Sequence, residues 1–65
     1  MNPFVLWDEH SAQVRPATDP QVRLRMADEF TERECRQALR RRDIARRERA
    51  ACWKRLRQLG RTRSA

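Results

Sequence analysis

Between Arg40 and Leu59 the chain contains neither proline nor glycine, and almost every residue there is a fair or good helix former. The regular structure open to such a segment is an α-helix, and Gly60 follows where a left-handed C-terminal cap would fall. At ~100° per residue, Arg42, Arg46, Arg49, Trp53 and Arg57 line one face. Ala38, Ala45, Cys52, Leu56 and Leu59 line another, a little under a quarter-turn away. One face is suited to packing, and its neighbour presents cations around one large aromatic.

Charge is unevenly distributed. The 65 residues carry 16 basic and 9 acidic side chains, a net charge of +7. Met1–Cys35 has four basic and seven acidic residues, whereas Arg36–Ala65 has twelve and two, so the first part is −3 and the second +10. Such asymmetry points to a polyanion bound by the C-terminal half, RNA or DNA in the first place, with an anionic membrane surface or an acidic protein as rivals. All the cations but one are arginine, whose planar fork suits phosphates and base stacking. GC-rich coding would also favour Arg over Lys, but it would not gather the charge on one half.

The longest apolar run, Phe4-Val5-Leu6-Trp7, is far too short to span a bilayer and no basic region precedes it, so a soluble, cytoplasmic protein without membrane contact is expected. So short a chain holds one domain with a small core, and help from a partner is expected. On one continuous helix Cys35 and Cys52 would lie ~25 Å apart, so a disulfide between them would need a hairpin.

Phe4, Val5, Leu6 and Trp7 read as an extended segment, because β-branched and aromatic side chains favour that backbone. One strand alone needs an edge or a groove, which leaves two readings: a partner-binding motif, or side chains folded back over this protein's own helices. Ser11–Thr18, with Pro16, reads as a connector. Asp19-Pro20 is a helix start, Asp as N-cap and Pro in the first turn. Val22, Met26 and Phe30 then share a face.

Thr31-Glu32-Arg33-Glu34 has the capping-box pattern, with Phe30 and Cys35 placed as a hydrophobic staple. We therefore expect a bend there, with helices over Pro20–Phe30 and from Glu32. The second helix either reaches Leu59 or breaks near Asp43, itself an N-cap candidate. The fold class expected is all-α, a two- or three-helix domain. Residues 1–19 form its extended segment and connector, 20–60 the helical domain with a long basic C-terminal helix, and 61–65 a mobile basic tail.

Catalytic chemistry finds no support, since the one His, two Ser and two Cys show no spacing of a nucleophile with its base, and an enzyme is not expected. His10, Cys35 and Cys52 are isolated from one another, so neither a metal site nor a cofactor is expected. Arginine neighbours at four-residue spacing (Arg36 and Arg40, Arg42 and Arg46) repel along a helix, and a polyanion relieves that repulsion. The candidate nucleic-acid contacts are Arg40, Arg41, Arg42, Arg46, Arg47, Arg49, Trp53, Lys54 and Arg57. Trp53 has a second reading, as a core residue turned toward Met26 or Phe30.

The stretch Arg41-Arg42-Asp43-Ile44-Ala45-Arg46-Arg47-Glu48-Arg49-Ala50-Ala51-Cys52-Trp53-Lys54 resembles the arginine-rich RNA-binding helices of phage antitermination proteins of the lambdoid N type. The shared features are paired arginines, an alanine-bearing middle and Trp-Lys at the end. The resemblance implies that Trp53 stacks on a loop base while Arg41, Arg42, Arg46 and Arg49 track stem phosphates. Three functions compete: a small transcription regulator that binds RNA or DNA and a protein such as RNA polymerase; a protein-interaction module docking its basic helix on an acidic groove; and a helix-turn-helix DNA binder using Asp43–Glu48 and Ala51–Leu59. The first is expected, and the missing turn glycine counts against the third.

Overall fold

The computed structural model describes residues 2–64, and side chains through residue 62. Strands β1 (Val5–Asp8) and β2 (Gln13–Pro16) are followed by helices α1 (Pro20–Ala27), α2 (Glu32–Arg40) and α3 (Arg46–Ser64). The molecule is mostly helical but carries a two-stranded antiparallel sheet, so the all-α expectation holds only in part. The extended N-terminal segment finds its missing edge in the stretch expected to be a connector. Val5 pairs with Pro16, Leu6 with Arg15, Trp7 with Val14 and Asp8 with Gln13.

Asp8 shapes the hairpin turn. Its carboxylate accepts the His10 N–H and the Ser11 hydroxyl at 3.0 Å each and pairs with Arg15 at 2.8 Å, while Ala12 takes the left-handed conformation (φ 51°). An aspartate bonding its own following backbone makes a turn without glycine. Most of the hairpin lies open to solvent, and its root enters the core. Ala17 N–H donates to the Phe4 carbonyl at 2.8 Å, and the fully buried Phe4 meets Phe30 edge-on with centroids 5.1 Å apart.

Helix α1 starts as its sequence indicates, with Asp19 accepting the Gln21 N–H at 2.9 Å and Pro20 in the first turn. It ends at Ala27 rather than Phe30. Asp28, Glu29 and Phe30 donate to Arg25, Met26 and Ala27, three residues back, a tightening that turns Phe30 into the core. The bend at Thr31 is present: Glu34 N–H donates to Thr31 Oγ1 and Thr31 N–H to Glu34 Oε1, a complete capping box.

The long segment breaks after Arg40. Arg41 is extended (ψ 142°), and its guanidinium forks onto Asp43 at 2.8 and 2.9 Å, so Asp43 closes the connection instead of capping α3. Ala45, which directly precedes α3, offers no side-chain acceptor; Glu48 supplies one, its Oε2 taking the Ala45 N–H at 2.8 Å. Helix α3 starts at Arg46, inside the first segment of the helix pair Asp43–Glu48 and Ala51–Leu59, and runs unbroken through the second, so no turn divides the two and that pair does not exist. Gly60 does not cap it either: no glycine has a positive φ, and Arg61–Ser64 continue the helix where a mobile tail was expected. Ala65 lies outside the described residues.

The core is small-residue rich. Ala27, Cys35, Ala38 and Cys52 pack with Phe4, Phe30, Ala17 and Ile44, and Val22, Met26, Leu39, Ala51 and Leu56 cover the edges. Ala45, expected on the packing stripe, is exposed, and Glu48 is buried in its stead at 4% exposure. Glu48 Oε1 lies 2.8 Å from Nε of Arg23, whose guanidinium sits 4.4 Å over the Phe4 ring. Nε meets the carboxylate without a well-aligned hydrogen bond, so this contact is mainly ionic. Arg55 spans the interior from α3 and donates to the Phe30 carbonyl at 2.9 Å. The hairpin of α2 and α3 buries Cys35 and Cys52 as free thiols.

Two expectations test this packing. Glu48→Ala strands Arg23 beside the core and removes the acceptor for Ala45, so it should lower the unfolding free energy by about 3 kcal/mol, most of what so small a domain has. Urea denaturation reads this, and a wild-type midpoint would contradict the arrangement. Burial above all, helped by Cys35 and Glu48, pushes the Cys52 thiol up to about 11. A thiol raised in the folded state contributes fully below its unfolded pKa, and that contribution is lost as pH climbs from the ordinary thiol range toward 11. Stability should fall across that window, and less so in Cys52→Ala.

Candidate nucleic-acid interface

Helix α3 sorts its side chains by angle. At ~100° per residue, Glu48 and Cys52 point into the core. A sector of about 160° on the opposite side runs from Arg49 through Trp53, Arg46, Arg57 and Arg61 to Lys54 and Arg47. All of these are exposed. The sole acid of α3 is thereby turned inward, and its outer face carries no negative charge.

The candidate contacts divide into three groups. Arg46, Arg47, Arg49, Trp53, Lys54 and Arg57 share the α3 face as expected. Arg40 ends α2 and Arg42 sits in the connection, so both are exposed but neither belongs to the α3 row. Arg41 is half-buried and committed to Asp43, which raises its own pKa and holds the Asp43 carboxyl below the usual range. The continuous helix assumed for the row placed Arg42 and Arg46 together; the break at Arg41–Ala45 separates them. Arg49 leans back, its Nη1 3.5 Å from the Leu39 carbonyl.

Trp53 is 54% exposed and is not among the side chains packed on the core that holds Phe30 and Met26. It lines a shallow recess of about 320 Å³ together with Leu39, Leu56, Arg36 and Arg40. A second groove, lined by Glu32, Arg33, Arg36, Gln37 and Arg40, runs along α2 and meets the first at Arg36 and Arg40. Arg36 also holds Glu32 at 2.7 Å, while Arg33 and Arg40 make no ion pair among the described residues. Of the α2 arginines, Arg40 was a candidate contact whereas Arg33 and Arg36 were not, because they precede the basic run; the four-residue spacing of Arg36 and Arg40 was the available signal.

The N-terminal candidates separate as well. Phe4 is core and therefore unavailable to a partner; its ring is enclosed by Phe30 and Arg23. Val5, Leu6 and Trp7 are exposed, Trp7 at 61%, and Trp7 pairs across the sheet with the exposed Val14. No helix among the described residues is long and apolar enough to cross a membrane, and no group of three His, Cys, Asp or Glu there could hold a metal ion. Comparison with known proteins finds no matching family model, no matching curated protein and no matching solved structure.

The exposure of Trp53 makes a direct expectation. Trp53→Ala should change the unfolding free energy by no more than ~0.5 kcal/mol, the range of surface substitutions. In a Trp7→Phe background, acrylamide should quench Trp53 almost as well in the folded as in the unfolded protein. A loss of several kcal/mol would return Trp53 to the core.

Proposed function

We propose that this protein is a small basic transcription regulator that binds RNA or DNA through the outward face of α3 and a protein partner, of the kind RNA polymerase represents, through the exposed hairpin side chains Val5, Leu6 and Trp7. The observation that carries the reading is the inward turn of Glu48. It leaves Arg46, Arg47, Lys54, Arg57 and Arg61 on one face with no ion pair among the described residues and an exposed Trp53 among them. A solvated charged face ordinarily mixes signs at four-residue spacing. A face of one sign, with like charges at Lys54 and Arg57 and again at Arg57 and Arg61, is at odds with self-contained stability and suits a polyanion, whose condensed counterions are released on contact.

The resemblance to antitermination helices fits at Arg46, Arg47, Arg49, Trp53 and Lys54, which lie together on α3. It departs at Arg41 and Arg42, which precede that helix, and Arg41 is withdrawn by Asp43. The nucleic-acid surface proposed is therefore α3 itself rather than the full arginine-rich stretch.

Salt dependence tests the reading. Affinity for a mixed-sequence oligonucleotide should fall steeply with salt, and Arg46→Ala or Arg57→Ala should each lower the slope of log K against log salt by about one. Leu6→Ala with Trp7→Ala should leave that slope unchanged while weakening capture of the protein partner. Loss of the partner's capture in Arg46→Ala and Arg57→Ala, insensitive to nuclease and without oligonucleotide binding, would favour the acidic-groove module instead.

A further inference from the structure

The recess between α2 and α3 has a composition that a phosphate row alone does not call for. Its floor is apolar, made by Leu39 from α2 and by Trp53 and Leu56 from α3, and its α2 wall is cationic, with Arg36 and Arg40 one turn apart. On the far side of Trp53 lies the cationic row of α3. Guanidinium groups on both sides of an apolar floor match a ligand that is anionic at its margins and flat and weakly polar at its centre.

Resting on the nucleic-acid reading of α3, we propose that this trough is a site for a single unpaired nucleotide, its base lying on Trp53, Leu39 and Leu56 and its flanking phosphates reaching Arg36 and Arg40 on one side and Arg57 on the other. The ligand class is then single-stranded nucleic acid or an unpaired loop rather than continuous duplex. In a duplex the base faces are stacked away and phosphates form the outer rim, so the floor would meet charge and water. A strand with a free base offers its π-face, which an aromatic platform accepts from any base type. Charge complementarity thus selects a nucleic acid, and the apolar floor selects its unpaired form.

The assignment brings in Arg36, Leu39 and Leu56, none of which the basic run on α3 identifies. Arg36 is suited to the task despite its bond to Glu32. That pair is a surface i, i+4 contact with the Arg36 side chain 66% exposed, so it is worth little and readily exchanged for phosphate.

The test uses the full chain with Trp7→Phe, so that Trp53 is the sole fluorophore, and three labelled probes of equal length: single-stranded RNA, single-stranded DNA and duplex DNA. Both single strands, or one of them, should bind at least about tenfold tighter than duplex and quench Trp53. Whichever is preferred names the source and supports the site. Trp53→Ala should remove about ten- to a hundredfold of single-strand affinity with little change in salt slope, because stacking releases no counterions. Arg36→Ala with Arg40→Ala should lower the slope by about 1.4, ~0.7 for each contact to a single strand, while leaving the thermal melt near wild type. Equal or tighter duplex binding, with these variants unchanged, overturns the trough and leaves the α3 reading standing. Absence of binding to all three probes overturns both.

Discussion

One carboxylate ties the first half of the molecule to the last helix. Glu48 is buried, holds Arg23 at 2.8 Å and takes the Ala45 N–H at the start of α3. Arg23 in turn covers the Phe4 ring, so the hairpin root, α1 and the start of α3 meet at a single ionic contact. A buried ion pair is a weak source of net stability, but it is intolerant of losing one partner and therefore specifies which elements meet. Its second consequence is electrostatic: the anion that would have tempered the α3 face is removed from it.

Arginine serves two purposes here, and its chemistry explains why one residue type serves both. Arg23 and Arg55 lay their stems against the interior and spend their forks on internal acceptors, Glu48 and the Phe30 carbonyl. Such long side chains complete a core whose other buried members include Ala27, Cys35, Ala38 and Cys52, small groups that let the helices approach closely but bury modest apolar area each. Arg49 turns back to the Leu39 carbonyl, while Arg46, Arg47, Arg57 and Arg61 have no internal acceptor among the described residues, the only acid on that helix being already engaged. Arginines with internal acceptors and arginines turned to solvent are thus distinguished by geometry, and composition alone makes no such distinction.

Local signals in the sequence were legible where both partners of an interaction lie within one turn. Asp19-Pro20 and Thr31-x-x-Glu34 each close their hydrogen bonds over two or three residues, and both helix starts fall where those residues put them. The hairpin was not legible, since its turn relies on Asp8 reaching forward and on Ala12 at φ 51° where Gly or Asn is the usual signal. The start of α3 was hidden for a related reason: Asp43 has the composition of a cap but Arg41 claims it, and Ala45 takes the position with a borrowed carboxylate. Gly60 misled in the opposite sense, because glycine permits a left-handed cap without requiring one. Of the proposed interface, the α3 arginines and Trp53 could be read from spacing. Withdrawal of Arg41 and the contribution of α2 depend on tertiary placement.

The interface also bears on how firmly α3 is held. Arg46 and Arg47 occupy its first turn, where the helix dipole is positive and cations are unfavourable, and Glu48 alone opposes them. Farther along, Lys54, Arg57 and Arg61 repel at three- and four-residue spacing, and past Leu59 the described side chains are exposed all round, so packing does little to offset that repulsion. An anion bound along this face would relieve both effects at once, and only in the folded state, where the charges are aligned. Under the proposed function, binding and folding of α3 would therefore be linked: a ligand that prefers the folded state stabilises it by the amount that its affinity for the folded state exceeds that for the unfolded chain. The same residues that weaken the helix alone are those that the proposed function assigns to a polyanion.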